Sequence, residues 1–164
     1  MPTIDVQIRR HSIVSTRPFG EVVNRLTATI GRPDMHALHG ALTAATTVAE
    51  LSAVVQGAIG SSGLMEFIRF DAGEVLRKER GGQGSQILRL VVGNPLIMKE
   101  MARAIPDAAA YAPITILVDE RADGVHLSYD SMESVLGPYG SQSALAVARD
   151  LDSQVLRLLD GAAR

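Results

Sequence analysis

The chain has 164 residues, 46% of them hydrophobic and 21% charged, and its net charge is −2. That is core enough for one domain, neither disordered nor basic, and the charge balance argues against a phosphate backbone as partner. With no Cys, no Trp and only 4% aromatic residues, disulfides, thiolate chemistry and stacking platforms for bases or sugars fall away too.

Thr3 to Ser15 opens the chain as a strand, with Ile4, Val6 and Ile8 alternating against Asp5, Gln7 and Arg9. The alternation slips between His11 and Ile13, which predicts a bulge or bend near Arg10. Pro18 to Ile30 reads as a helix, with Phe19, Val22, Val23, Leu26 and Ile30 on one face. Pro18 suits its first turn, and Gly31 suits a left-handed end. Asp34 to Ala44 is a second, weaker helix. A third follows from Thr47, where Thr47 and Glu50 have capping-box spacing. Leu64 to Asp71 has apolar residues on both faces, which predicts a central strand. Arg77-Lys78-Glu79-Arg80 reads as solvated charge and Gly81-Gly82-Gln83-Gly84 as a mobile loop. Then come a strand over 86–92, a helix over 94–104, and strands over 114–119 and 124–129. A short helix follows Ser131, and a long helix runs from about 141 to 160, capped by Ser141 or Ser143 and ended by Gly161.

This order, with an antiparallel hairpin at 114–129, predicts an α+β fold: a mixed, largely antiparallel sheet with helices packed mainly on one face. No linker or repeat divides residues 1–164, so a single domain is expected. The N-terminus, Met1-Pro2-Thr3-Ile4-Asp5, lacks the pattern of a signal peptide, and no apolar run approaches the ~20 residues of a membrane span. The expectation is a cytoplasmic protein with no membrane partner.

Three stretches carry a resemblance: Val91-Val92-Gly93-Asn94-Pro95, Ala112-Pro113-Ile114-Thr115-Ile116-Leu117-Val118 and Val125-His126-Leu127-Ser128-Tyr129. In order and spacing they resemble the domain-of-unknown-function family 302 over roughly residues 12–135. The resemblance implies a bacterial-type α+β domain, similar to the TATA-box-binding-protein-like group of folds and often dimeric. It implies no reaction and no DNA binding. Val92 stands where the family has Phe, Tyr111-Ala112 where it has Asp-Leu, and Asp71-Ala72 where it has Asp-His. The stretch from Gly31 to Gly63 is longer than the family's usual connection. Its helices, over 31–60, and the one over 141–160 read as additions to that core.

Candidate sites are few. Gly93-Asn94-Pro95 could present amides to an anion, but it matches a helix start position by position: Gly93 turns, Asn94 caps and Pro95 opens the helix. His36 and His39 share a helical face without a third ligand, so no metal site is expected. His126 shares its side of a strand with Ser128 and Asp130, as the wall of a cleft or, the favoured reading, on a solvated face. Asp119 and Glu120 read as exposed, and Asp123-Gly124 as turn chemistry. Neither Ser61-Ser62-Gly63 nor Gly81–Ser85 satisfies a nucleophile-elbow or phosphate-loop pattern, and nothing calls for a cofactor.

One polar set is sharper. Arg69 and Asp71 share a strand face, Arg89 interrupts an apolar strand, and His126 sits on the last strand. If those strands adjoin, Arg69, Arg89 and His126 line a single surface opposite the helices. The ligand-binding candidates are therefore Arg69, Asp71, Arg89, Gly93, Asn94 and His126. The expected activity is binding of a small anionic ligand or self-association as a homodimer. The alternative is a small enzyme acting on a metabolite at the polar sheet face.

Overall fold

A computed structural model describes residues 3–164. The first strand, β1, covers Arg10–Ser15. Three helices follow, α1 (Phe19–Thr27), α2 (Met35–Ala44) and α3 (Val48–Ala58). Strand β2 (Met65–Asp71) leads to helix α4 (Gly73–Glu79), and strand β3 (Ile87–Gly93) to helix α5 (Pro95–Ala102). A single turn of helix, α6 (Ala108–Tyr111), precedes the hairpin of β4 (Ile114–Arg121) and β5 (Gly124–Asp130). Helix α7 (Met132–Leu136), a 3-10 turn and the long helix α8 (Gln142–Ala163) complete the chain.

The sheet order is β1-β5-β4-β3-β2, and every neighbouring pair is antiparallel. The fold class is α+β as expected. The only parallel pairing among the described residues is an isolated bridge between Gly31 and Met65.

One face of the sheet carries Leu88, Leu90, Val92, Ile114, Ile116, Val118, Val125 and Leu127 into the core, where α1, α5 and α8 cover them. Fully buried side chains such as Leu90, Ile116 and Leu127 each contribute about 1.5–3 kcal/mol from removal of apolar surface from water. Helix α8 meets this face with Leu145, Ala148, Leu151, Val155 and Leu159. A smaller cluster of Leu38, Val55 and Met65 ties α2 and α3 to the end of the sheet.

Several expectations are corrected. The first strand begins only at Arg10, because Arg10 is the first residue to find a partner, Asp130 on β5. Residues 3–9 carry the alternation without a neighbouring strand. Pro18 precedes α1 as its N-cap, and Gly31 does not adopt a left-handed conformation. Gly31 is required instead for close approach, since a Cβ there would lie 2.0 Å from the Ala58 carbonyl oxygen. The stretch read as a charged run and loop contains α4, in which Arg77 pairs with Asp71 and Lys78 with Glu74. Helix α8 continues through Gly161 to Ala163.

Strand β2 is an edge strand, not a central one. Ile68 and Phe70, both on the uncovered face, remain half exposed at 56% and 51%, while Met65 is buried. The capping readings at Thr47, Asn94 and Ser141 hold, with the Thr47–Glu50 capping box formed in both directions.

Candidate functional site: the open face of the sheet

Helices cover one side of the sheet, and the other side carries the alternate residues of each strand. Cross-strand pairing places Phe70, Arg89, Leu117, Ser128 and Ser12 in one row across all five strands. A neighbouring row holds Ile68, Val91 and Thr115, continuing toward the Asp130–Arg10 pair. A hollow of about 570 Å³ opens over these rows. Ile68, Val91 and Leu117 form its apolar floor, and the segment Ala109–Pro113 with Met132 and Val135 forms a wall.

The charges in this hollow are unbalanced. Arg10 grips Asp130 through two bonds, Nε to Oδ1 at 2.7 Å and Nη2 to Oδ2 at 2.8 Å. The hydrogen bond holds the Asp130 carboxyl below the usual carboxylate range and raises Arg10 above its own ordinary value. Arg89 has no such partner. Its Nη2 reaches only the Thr115 hydroxyl, at 3.5 Å, and it forms no ion pair with a described residue. Two guanidiniums and one carboxylate leave an excess positive charge on an apolar floor.

The candidates do not all meet here. Arg69 lies opposite Leu90 and Asp71 opposite Leu88, so both point to the helical side of the sheet. The cause is a β-bulge. Glu66 pairs with Val92 and Ile68 with Val91, which leaves Phe67 as an extra residue. Beyond it every side chain of β2 changes face, and Phe70 takes the place beside Arg89 that unbroken alternation gives to Arg69. Arg69 instead pairs with Glu66 at 2.8 Å, and Asp71 with Arg77 at 2.6 Å. The expected single surface of Arg69, Arg89 and His126 is thus divided between two faces.

His126 is on the open face, two residues from Ser128, but it does not line the hollow. The solvated-face reading is corrected, because its side chain is only 10% exposed and its Nε2 lies 2.9 Å from Asp123 Oδ1. That hydrogen bond lowers the Asp123 carboxyl. Asp119, opposite His126, is buried rather than exposed and bonds to Arg121. Ser128 Oγ meets only Ser12 Oγ, at 3.4 Å, so no described serine stands within reach of the imidazole as a nucleophile.

Gly93, Asn94 and Pro95 form the strand-to-helix junction. Asn94 Oδ1 accepts from Leu96 N at 2.9 Å, and its Nδ2 donates to the Gly63 carbonyl at 3.0 Å. Both ends of the amide are used, which fits a cap. Gly93 is required sterically, since a Cβ would come within 3.0 Å of Pro113 Cβ. A small apolar slot of about 110 Å³ lies beside this junction, between Phe67, Met98, Met101 and Pro113.

Sequence reasoning missed the buried carboxylate of Asp152 on α8. It accepts from Tyr129 OH at 2.6 Å, Ser131 Oγ at 2.6 Å, Met132 N at 2.7 Å and Glu133 N at 3.1 Å. Burial, and then the bond to Asp152, push the Tyr129 phenol far above its ordinary value. The signal was present: Asp152 stands four residues after Ala148 and three before Val155, on the apolar stripe.

Among the described residues no cluster of acidic or histidine side chains could hold a metal, and no helix is long and apolar enough to cross a membrane. A search of the curated proteins found no match. The crystal structure of an uncharacterized conserved DUF302 protein from Bacillus stearothermophilus has a similar fold. Its TM-score is 0.65 at 15% identity, over 94% of this chain and 98% of that one. The model of the family described as domain of unknown function DUF302 matches residues 40–162, a stretch that includes the open-face strands from β2 onward and nearly all of α8. The chain belongs to the DUF302 family.

Proposed function

We propose that the hollow on the open sheet face binds a small carboxylate with an apolar body, and that Arg89 receives its anionic end. The observation that carries this reading is Arg89 itself, a guanidinium without a carboxylate, set on an apolar strand in a concave site. A cation in partly apolar surroundings gains a charge-assisted, bidentate bond worth about 1.5–3 kcal/mol when an oxyanion arrives. Thr115 stands beside it to hold a second ligand oxygen, while Ile68, Val91 and Leu117 suit an aliphatic or ring body. Binding is favoured over turnover because neither the Ser12–Ser128 hydroxyl pair nor the Arg10–Asp130 pair sits next to a free base.

Benzoate and benzyl alcohol, titrated in parallel against the labelled protein by amide chemical shifts, test the reading. Benzoate is expected to perturb residues around Arg89, Val91 and Thr115 at least tenfold more strongly than the alcohol. Arg89→Gln is expected to remove that difference. Equal responses to acid and alcohol, or an unchanged benzoate response in the variant, overturn it.

Self-association is a second reading, carried by the β2 edge and α4, a patch that shares Ile68 with the hollow. Ile68, Phe70, Val75 and Leu76 are 56, 51, 60 and 44% exposed along an edge strand and its adjoining helix. An apolar patch around an unpaired strand edge suits a second copy of the chain. Sedimentation at micromolar concentration, with Phe70→Glu as the disrupting variant, decides it: a monomeric parent protein removes this reading.

A further inference from the structure

A second polar groove, of about 850 Å³, lies on the far side of the molecule, between the end of α1, the loop at 60–63 and the solvent face of α8. Its charges come from neighbouring helices. Arg25 on α1 donates through Nη2 to the Gly161 carbonyl at 3.2 Å. Arg157 stands four residues before Gly161 on the same face of α8, about 6 Å along the axis. Neither guanidinium forms an ion pair with a described residue, although both line the groove. The groove's only carboxylate, Asp150, lies seven residues before Arg157, about 10 Å along the helix.

The opposite wall is held in place for polar contact. Gln154 donates to the Ser62 carbonyl, and Ser62 returns its amide and hydroxyl to the Thr29 carbonyl at 2.9 and 2.8 Å. Thr29 Oγ1, in that wall, is the one buried side-chain polar atom left without a hydrogen-bond partner among the described residues. Both guanidiniums line one groove without a carboxylate partner among the described residues, and each presents a planar fork of N–H donors. The ligand chemistry that meets both is an oxyanion with two negative charges and three oxygens.

We infer that this groove is a binding site for a phosphate monoester, with Arg25 and Arg157 as its two charge-bearing ligands and the serine loop as its neutral wall. It is independent of the Arg89 hollow, which lies on the other face of the sheet and takes a single negative charge on an apolar body.

Inorganic phosphate is the probe, titrated against the labelled full chain by amide chemical shifts, with chloride at matched ionic strength as the control. Saturable shifts are expected at Ser61–Gly63 and Ser153–Leu158. Arg157→Gln and Arg25→Gln are each expected to weaken binding about tenfold or more. Ser153→Glu, which adds a negative charge on the same helical face, is expected to abolish binding while the rest of the spectrum stays unchanged. It serves as the deciding variant should an arginine replacement disturb packing. The inference is overturned by shifts that do not saturate, by an equal effect of chloride, by an unchanged affinity in the Ser153→Glu protein, or by phosphate shifts confined to the Arg89 strand.

Discussion

Asp152 and Arg89 are both single charges placed on apolar elements, and their surroundings differ in an instructive way. Asp152 is buried, and four donors from β5, the Ser131 turn and α7 converge on its two oxygens. Arg89 is open to solvent on the uncovered face and meets one hydroxyl at the limit of hydrogen bonding. A charge whose partners are complete belongs to the architecture: it locks α8 onto the start of α7 and fixes where β5 ends. A charge whose partners are missing contributes nothing to the fold that its replacement by an apolar residue could not supply. The contrast separates residues that hold this protein together from residues available to a ligand.

The largest test of that contrast is Asp152→Ala. Removing the carboxylate leaves the Tyr129 hydroxyl, the Ser131 hydroxyl and the Glu133 amide without an acceptor, and the Met132 amide with only the Tyr129 oxygen at 3.3 Å. At about 1–3 kcal/mol for each unsatisfied group, with partial relaxation, we expect a loss of about 3–5 kcal/mol. The midpoint of urea unfolding should fall accordingly with an unchanged slope. A loss below about 1 kcal/mol contradicts the architectural role.

A smaller effect is expected from alkali. The folded-state Tyr129 phenol lies above its unfolded value, so the folded protein holds the proton more tightly. The stability this contributes is complete below the ordinary phenol range near pH ~10 and declines as pH rises through and beyond it. Tyr129→Phe should lower stability at neutral pH by about 1–2 kcal/mol, the cost of one lost hydrogen bond to a charged acceptor. It should also flatten the decline above pH ~10. An equally steep alkaline decline in the variant assigns the slope to other groups.

How much of this the sequence disclosed depends on the range of the interaction. Caps and turns are local, so Thr47, Asn94 and Ser141 could be read from their neighbours alone, and all three cap as expected. The apolar stripe of α8 and the α+β class were legible for the same reason, since period and element order survive without knowledge of partners. Strand position was not legible. Apolar residues on both faces of β2 suggested a central strand, yet they belong to an edge, where Phe70 and Ile68 stay exposed.

The bulge at Phe67 was invisible because it arises from pairing with Val92 and Val91, not from local preference. That single extra residue moved Arg69 and Asp71 to the other face and divided the expected polar surface. Arg89 was picked out as a charge interrupting an apolar strand, and its exposure follows from the alternation of β3. That it lacks a carboxylate became visible only once the strands on either side were in place.

The smallest expected effect is the one that bears most directly on function. Arg89→Gln keeps a polar side chain while shortening it and removing the charge and the guanidinium fork. Were Arg89 part of the framework, as Asp152 is, the change would cost several kcal/mol. Its single long bond to Thr115 and its exposure predict a change within about 0.5 kcal/mol in either direction, the range of a surface substitution. Relief of repulsion from the nearby Arg10, itself neutralised by Asp130, is screened at ordinary salt and adds little. Urea unfolding of the variant beside Asp152→Ala therefore tests both halves of the contrast in one experiment. A destabilisation of Arg89→Gln comparable to that of Asp152→Ala returns Arg89 to the framework and removes the basis for a ligand in the hollow. A neutral result leaves the charge without a structural task, on the same strand face where an anion can reach it.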